Sequence, residues 1–138
     1  MSLSSSELGP NCPKILCIDD DPEISSSLSI RLAPYDVEVL RAYHGMNGFW
    51  LAMTERPDVV ITDMKMPQGD GDYIVECLRR NSDTQSIPVI VLTGCRDVAT
   101  RKKMMALGVT AFFTKPAPFE ELVEALSSVI DLREKVYV

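Results

Sequence analysis

Five residues, Val59-Val60-Ile61-Thr62-Asp63, constrain this chain more than any others. An apolar run this short, bounded by Pro57 on one side and by Pro67 and Gly69 on the other, suits a strand buried on both faces. Strands of that kind belong to parallel sheets covered by helices on either side. In open α/β sheets ligands bind beyond the carboxyl ends of the strands. Asp63 would stand there, at the mouth of a crevice.

The rest of the chain supplies the sheet. Lys14-Ile15-Leu16-Cys17-Ile18 reads as a first strand that runs into Asp19-Asp20-Asp21. Asp21 fits a helix N-cap, with Pro22 at the first helical position and Glu23 in the first turn. Ile24, Leu28 and Leu32 follow at helical spacing up to Pro34. Val37 to Leu40 is a second strand, and 42–45 form the loop after it. Met46, Phe49, Trp50 and Met53 place an apolar stripe on a second helix, closed by Arg56-Pro57. A third helix is expected over 71–80, with Ile74, Cys77 and Leu78 inward. A fourth strand, 87–92, ends in Thr93-Gly94. A weakly amphipathic helix over 97–107 stops at Gly108. Ala111-Phe112-Phe113 leads to Thr114-Lys115-Pro116, and the last helix carries Phe119, Leu122, Val123, Leu126, Val129 and Ile130. Strand and helix alternate five times, which predicts one parallel sheet with helices on both faces.

At 138 residues the chain is one domain by size, and no internal boundary is visible. Residues 1–12 read as a polar, disordered tail, 13–133 as the domain, and 134–138 as a tail or the start of a linker. A formal net charge of -6 argues against nucleic-acid binding by the domain as a whole. No apolar run is long enough to span a membrane, and the N-terminus lacks the pattern of a signal peptide. Cys12, Cys17, Cys77 and Cys95 form no CxxC pair, and the single histidine gives no zinc spacing. They read as small buried hydrophobes of a cytoplasmic protein.

Chemistry concentrates at the strand ends, where Asp19, Asp20, Asp63, Thr93 and Lys115 would share one edge of the sheet. Carboxylates held close together repel and favour a cation. Oxygen ligands without His or Cys select a hard ion, Mg²⁺ above others. Lys115 adds a point charge and Thr93 a hydroxyl, which together make a phosphoryl-binding site. Asp63 within it could act as a nucleophile and form an acyl phosphate.

Four stretches together resemble the receiver domain of two-component response regulators, over about 14–130. They are Ile15-Leu16-Cys17-Ile18-Asp19-Asp20, Val59 to Gly71 with Asp63 and Pro67 inside, Val89-Ile90-Val91-Leu92-Thr93-Gly94, and Ala111-Phe112-Phe113-Thr114-Lys115-Pro116. The resemblance implies a flavodoxin-like (βα)5 three-layer sandwich with strand order 2-1-3-4-5. It implies that Asp63 accepts a phosphoryl group from a histidine kinase or histidine phosphotransfer protein. Asp20, Asp63 and the Lys65 carbonyl would ligate Mg²⁺, with Asp19 acting through water. Thr93 and Phe112 would form the switch, Lys115 would contact a phosphoryl oxygen, and Lys115-Pro116 would be a cis peptide. The response would reshape the fourth helix, fifth strand and fifth helix, where partners or a second copy dock. The output domain or target stays unassigned. The resemblance also implies that Lys65 and Cys95 stand at positions that would modulate autodephosphorylation. Lys65 has no carboxamide to orient a water, so slow autodephosphorylation is expected.

Two departures concern the switch alone. Ala111 stands where many receivers carry an acidic residue, and Phe112 lacks the hydroxyl of the commoner Tyr. Three other functions fit less well. A Mg²⁺-dependent phosphohydrolase with Asp63 as nucleophile would need an aspartate at position 65. A flavodoxin-like cofactor binder would need a phosphate cradle where three aspartates stand. A pseudo-receiver would have lost a site residue, and none is missing. Asp70 and Asp72 read as turn and capping residues, His44 as a loop histidine, Trp50 as partly buried packing, and Met104-Met105 as core and partner-facing surface.

Overall fold

The computed structural model describes residues 12–65 and 71–136, apart from the side chain of Asp72. The expected turn around Pro67, Gly69 and Asp70 and the N-terminal tail through residue 11 lie outside them. The elements are β1 (Lys14–Ile18), α1 (Pro22–Leu32), β2 (Glu38–Ala42), α2 (Gly45–Glu55), β3 (Val59–Thr62), α3 (Gly71–Arg80), β4 (Val89–Thr93), α4 (Val98–Ala106), β5 (Ala111–Thr114) and α5 (Phe119–Ser127). All strand pairs are parallel, in the order β2-β1-β3-β4-β5. The fold is the flavodoxin-like (βα)5 sandwich expected from the sequence.

Period-two alternation divides the strand residues between two cores. Ile15, Cys17, Val59, Ile61, Ile90 and Leu92 face α1 and α5, where Leu28, Leu32, Leu122 and Leu126 meet them. Leu16, Ile18, Val60, Val89 and Val91 face α2, α3 and α4, against Ala52, Ile74, Val75, Leu78 and Met104. Strand order reverses between β1 and β3, so the loops leaving these neighbours diverge and open a crevice at their carboxyl ends. Asp19 and Asp63 are the residues that stand there. The backbone N–H of Asp63 donates to the Ile18 carbonyl at 3.0 Å, and that of Asp19 to the Ala42 carbonyl at 3.0 Å.

Several local expectations are corrected. β2 starts at Glu38 and runs to Ala42, because its register against Cys17 and Ile18 continues through Arg41 and Ala42. His44 is no mere loop residue: its Nδ1 accepts the Asn47 backbone N–H at 3.3 Å and caps α2. The fully buried residues of α2 are Gly45, Gly48 and Ala52, and of the expected stripe Phe49 packs partly buried against the same core. Trp50, expected to pack partly inside, is 60% exposed, and Met46 is 50% exposed. The helix lies too close to β1 for large side chains, since a Cβ at Gly48 would stand 2.5 Å from Ile18 Cδ1.

In α3, Val75 joins Ile74 and Leu78 in the core, while Cys77 is only partly buried. Of the cysteines, Cys17 alone is fully buried, and burial pushes its thiol up to about 12. Met104 is core and Met105 is half exposed. α5 ends at Ser127, short of Ile130, where the Ser128 hydroxyl donates back to the Ala125 carbonyl at 2.6 Å. Beyond it, Glu134 bridges Tyr35 and the Lys135 N–H donates to the Pro34 carbonyl at 2.7 Å, so this segment lies along the loop between α1 and β2.

Candidate functional site

The site is assembled by backbone pairing before any side chain takes part. β1 and β3 are neighbours with Ile18 opposite Thr62, which places Asp19 beside Asp63. β4 and β5 pair Thr93 with Thr114, and the Lys115 N–H donates to the Thr93 carbonyl at 2.8 Å. Lys115 thus leaves β5 at the level of the acidic residues. The Lys115–Pro116 peptide bond is cis.

Lys115 is the bridge between the carboxylates. Its Nζ lies 2.7 Å from Asp19 Oδ2 and 3.2 Å from Asp63 Oδ2. Asp63, 8% exposed, uses its other oxygen to accept the backbone N–H of Met64 at 2.6 Å and of Lys65 at 3.5 Å. Asp19 Oδ1 accepts the Asp21 N–H at 3.0 Å. Asp20 is exposed, yet Asp19, Asp20 and Asp63 can each present an oxygen within 4.8 Å of the others. Three hard oxygen donors converging on one point suit a hard divalent cation.

Burial pushes the Asp19 carboxyl above the ordinary carboxylate range, although hydrogen bonds from Lys115 and Asp21 work against it and the Asp63 charge adds to it. Burial also acts to lower the Lys115 pKa, but hydrogen bonds and charge from Asp19 and Asp63 outweigh it and hold the ammonium above its usual value. Both partners are thus shifted upward, which favours the charged lysine and disfavours the charged aspartate. The contacts decide for an ionised pair, because neutralising either partner would strand the other's buried charge.

Thr93 is fully buried, and its Oγ1 accepts the Cys95 N–H at 3.1 Å. Phe112 sits one strand residue before the level of Leu92, partly buried against the α2–α4 side, with the Arg101 guanidinium 5.8 Å from its ring centre. Lys65 is exposed at the rim. Asp19, Asp20, Asp63 and Lys115 therefore form one group, Thr93 joins it through its backbone, and Phe112 and Cys95 stand behind it.

One residue of this machinery has no reactive group. The Gly71 N–H donates to the Met64 carbonyl at 3.0 Å and ties the residue after Asp63 to the start of α3. A Cβ at position 71 would overlap the Asp63 carbonyl oxygen and come within 2.7 Å of Met64 Cε. Backbone cannot yield as a side-chain tip can. Gly71→Ala is expected to cost about 1–3 kcal/mol of stability, as overpacking does, and to displace the Asp63 loop. Urea unfolding checks the first effect, and an unchanged midpoint would contradict it.

Fold and acidic edge together define a CheY-like domain of two-component signalling. The response regulator receiver domain profile matches residues 15–127, and the chain belongs to that family. Among its relatives, the DNA-binding dual master transcriptional regulator RpaA of Synechocystis is 32% identical over 90% of this chain and 52% of its own. Protein PilH of Pseudomonas aeruginosa is 34% identical over 85% of this chain and 97% of its own. The chemotaxis protein CheY4 of Vibrio cholerae superposes with a TM-score of 0.78 at 29% identity, covering 86% of this chain and 99% of that one. The chain spans about half the length of the transcriptional regulators it matches.

Proposed function

We propose that residues 13–133 act as a phosphoacceptor switch and that Asp63 is the acceptor. The observation that carries this reading is the placement of Lys115 Nζ between Asp63 and Asp19 at the carboxyl edge of the sheet. An Asp63 oxygen attacks the phosphorus of a phosphohistidine. The P–O bond forms as the P–N bond breaks, and the electron pair returns to the donor imidazole, which takes up a proton. Lys115 neutralises a phosphoryl oxygen, and the Met64 and Lys65 N–H groups hold the Asp63 carboxylate in place. Asp20, Asp63 and the Lys65 carbonyl would hold Mg²⁺, with Asp19 acting through water. Bound there, the ion would screen the mutual repulsion of the carboxylates and the phosphoryl oxygens.

The donor is a histidine kinase or a histidine phosphotransfer protein. A groove of about 260 Å³ borders Lys115 between α1 and α5, lined by Ile24, Leu28, Arg31, Pro116 and Phe119, and gives a protein donor an apolar footing. Phosphorylation adds about two negative charges to an acidic pocket. The Thr93 hydroxyl turns to the phosphoryl group, Phe112 moves into the space it leaves, and the α4-β5-α5 surface changes for a target or a second copy. Free thiols and membership of a two-component family favour the cytoplasm. Hydrolysis of the acyl phosphate is slow, since Lys65 orients no water.

Thr93→Ala separates acceptance from response. The variant is expected to gain a phosphoryl group from acetyl phosphate at close to the wild-type rate, yet to lose the phosphorylation-dependent change in α4 amide exchange. An equal exchange response in the variant and the wild type would exclude Thr93 as the switch.

A further inference from the structure

The two ends of α4 are held very differently. No side chain from Gly94 through Lys103 is buried, and Met104 is the buried residue of the helix. At the N-terminal end, ties to the body run through the Cys95 N–H on Thr93 Oγ1 and the Arg101 guanidinium over Phe112. Both lead to the proposed switch residues. At the other end, Arg79 of α3 gathers four carbonyls from two segments. Its Nε donates to Leu107 at 2.9 Å and an Nη to Gly108 at 3.3 Å, just past α4, where helix carbonyls lack intrahelical partners. The other Nη donates to Gln85 at 3.1 Å and Ile87 at 2.8 Å, at the entry to β4. Lys103 pairs with Glu76 at 2.8 Å on the same side.

We propose that Arg79 is a positioning residue that pins the C-terminal end of α4 to α3 and β4, making Leu107-Gly108 the pivot of the response. The inference rests on the phosphoacceptor reading, because the displacement it confines starts at Thr93. A guanidinium suits this place: its planar fork reaches both segments at once, whereas an ammonium is a point donor. With the pivot fixed, a small shift of the loop after β4 tilts the exposed N-terminal half of α4 and leaves its buried end in register. Without it, the same shift is dissipated as sliding of the whole helix.

Amide hydrogen exchange on the full chain tests this, in wild type, Arg79→Ala and Arg79→Lys, with and without beryllofluoride and Mg²⁺. Before any ligand is added, Arg79→Ala is expected to speed exchange at residues 107–110 by about tenfold or more, with residues 98–101 unchanged. Arg79→Lys should fall between. With beryllofluoride, the wild-type change stays within 94–101, and in Arg79→Ala it spreads through 104–110. Wild-type exchange at 107–110 in unliganded Arg79→Ala overturns the proposal, as does an identical beryllofluoride footprint in both proteins. Intact mass after acetyl phosphate treatment separates the two readings. If wild type accepts no phosphoryl group and shows no footprint, the acceptor reading falls, and the unliganded comparison still decides whether Arg79 pins the helix.

Discussion

Asp63→Asn is expected to abolish phosphoryl acceptance and to leave the fold intact. The carboxamide keeps the shape of the side chain, and its oxygen can still accept the Met64 N–H that now lies 2.6 Å from Asp63 Oδ1. What would disappear is the anionic oxygen proposed to attack phosphorus. The amide NH₂ then faces Lys115 Nζ, donor against donor, where Asp63 Oδ2 now lies at 3.2 Å. Lys115 keeps its shorter contact of 2.7 Å to Asp19, so the cluster retains an ion pair. Unfolding free energy is expected to stay within about 1 kcal/mol of wild type, the cost of one net hydrogen bond. Intact mass after treatment with acetyl phosphate is the readout. A phosphoryl gain at the wild-type rate in the variant would remove Asp63 from the mechanism.

Lys115→Ala is the second large effect, and its sign differs between two measurements. Removing a preorganised cation from developing phosphoryl charge is expected to slow transfer by roughly 100- to 1,000-fold, the usual cost of one oxyanion donor. Metal binding should move the other way. Lys115 and a bound cation would compete for Asp19 and Asp63, so without the ammonium the carboxylates would have one positive charge fewer to share and are expected to hold Mg²⁺ several-fold more tightly. A merely structural lysine would weaken both. Titration of Mg²⁺ by intrinsic fluorescence or calorimetry, beside the rate with acetyl phosphate, distinguishes these cases. Weaker Mg²⁺ binding by a folded Lys115→Ala would contradict the role given to this residue.

Much of this arrangement is legible in the amino-acid sequence because it follows from short-range rules. Apolar runs ending in Asp19, Asp63 and Thr93 declare buried parallel strands, and parallel pairing carries those ends to one edge. Asp21 and Pro22 mark the start of α1, and the structure has Asp21 accepting the Glu23 N–H at 3.0 Å. Helix α2 was harder because its bulky residues mimic a buried stripe. The distance between helix and sheet decides its orientation: Gly48 lies against Ile18 with no room for a Cβ, and the fully buried positions are Gly45, Gly48 and Ala52. The capping role of His44 was hidden because Asp, Asn, Ser and Thr are the usual helix caps. Gly71 reads as an ordinary turn glycine until the Asp63 carbonyl is seen against it. Arg79 gave no signal of its own, since its four acceptors are backbone carbonyls that carry no sequence mark.

Locating the phosphoryl group tests the central claim most directly. The protein is treated with acetyl phosphate and Mg²⁺, reduced with borohydride, which converts an aspartyl phosphate to homoserine, and mapped by peptide mass spectrometry. Homoserine confined to position 63, and absent when Mg²⁺ is chelated, is the predicted result. Homoserine at position 19 or 20, or labelling of position 63 that ignores the metal, would contradict the account.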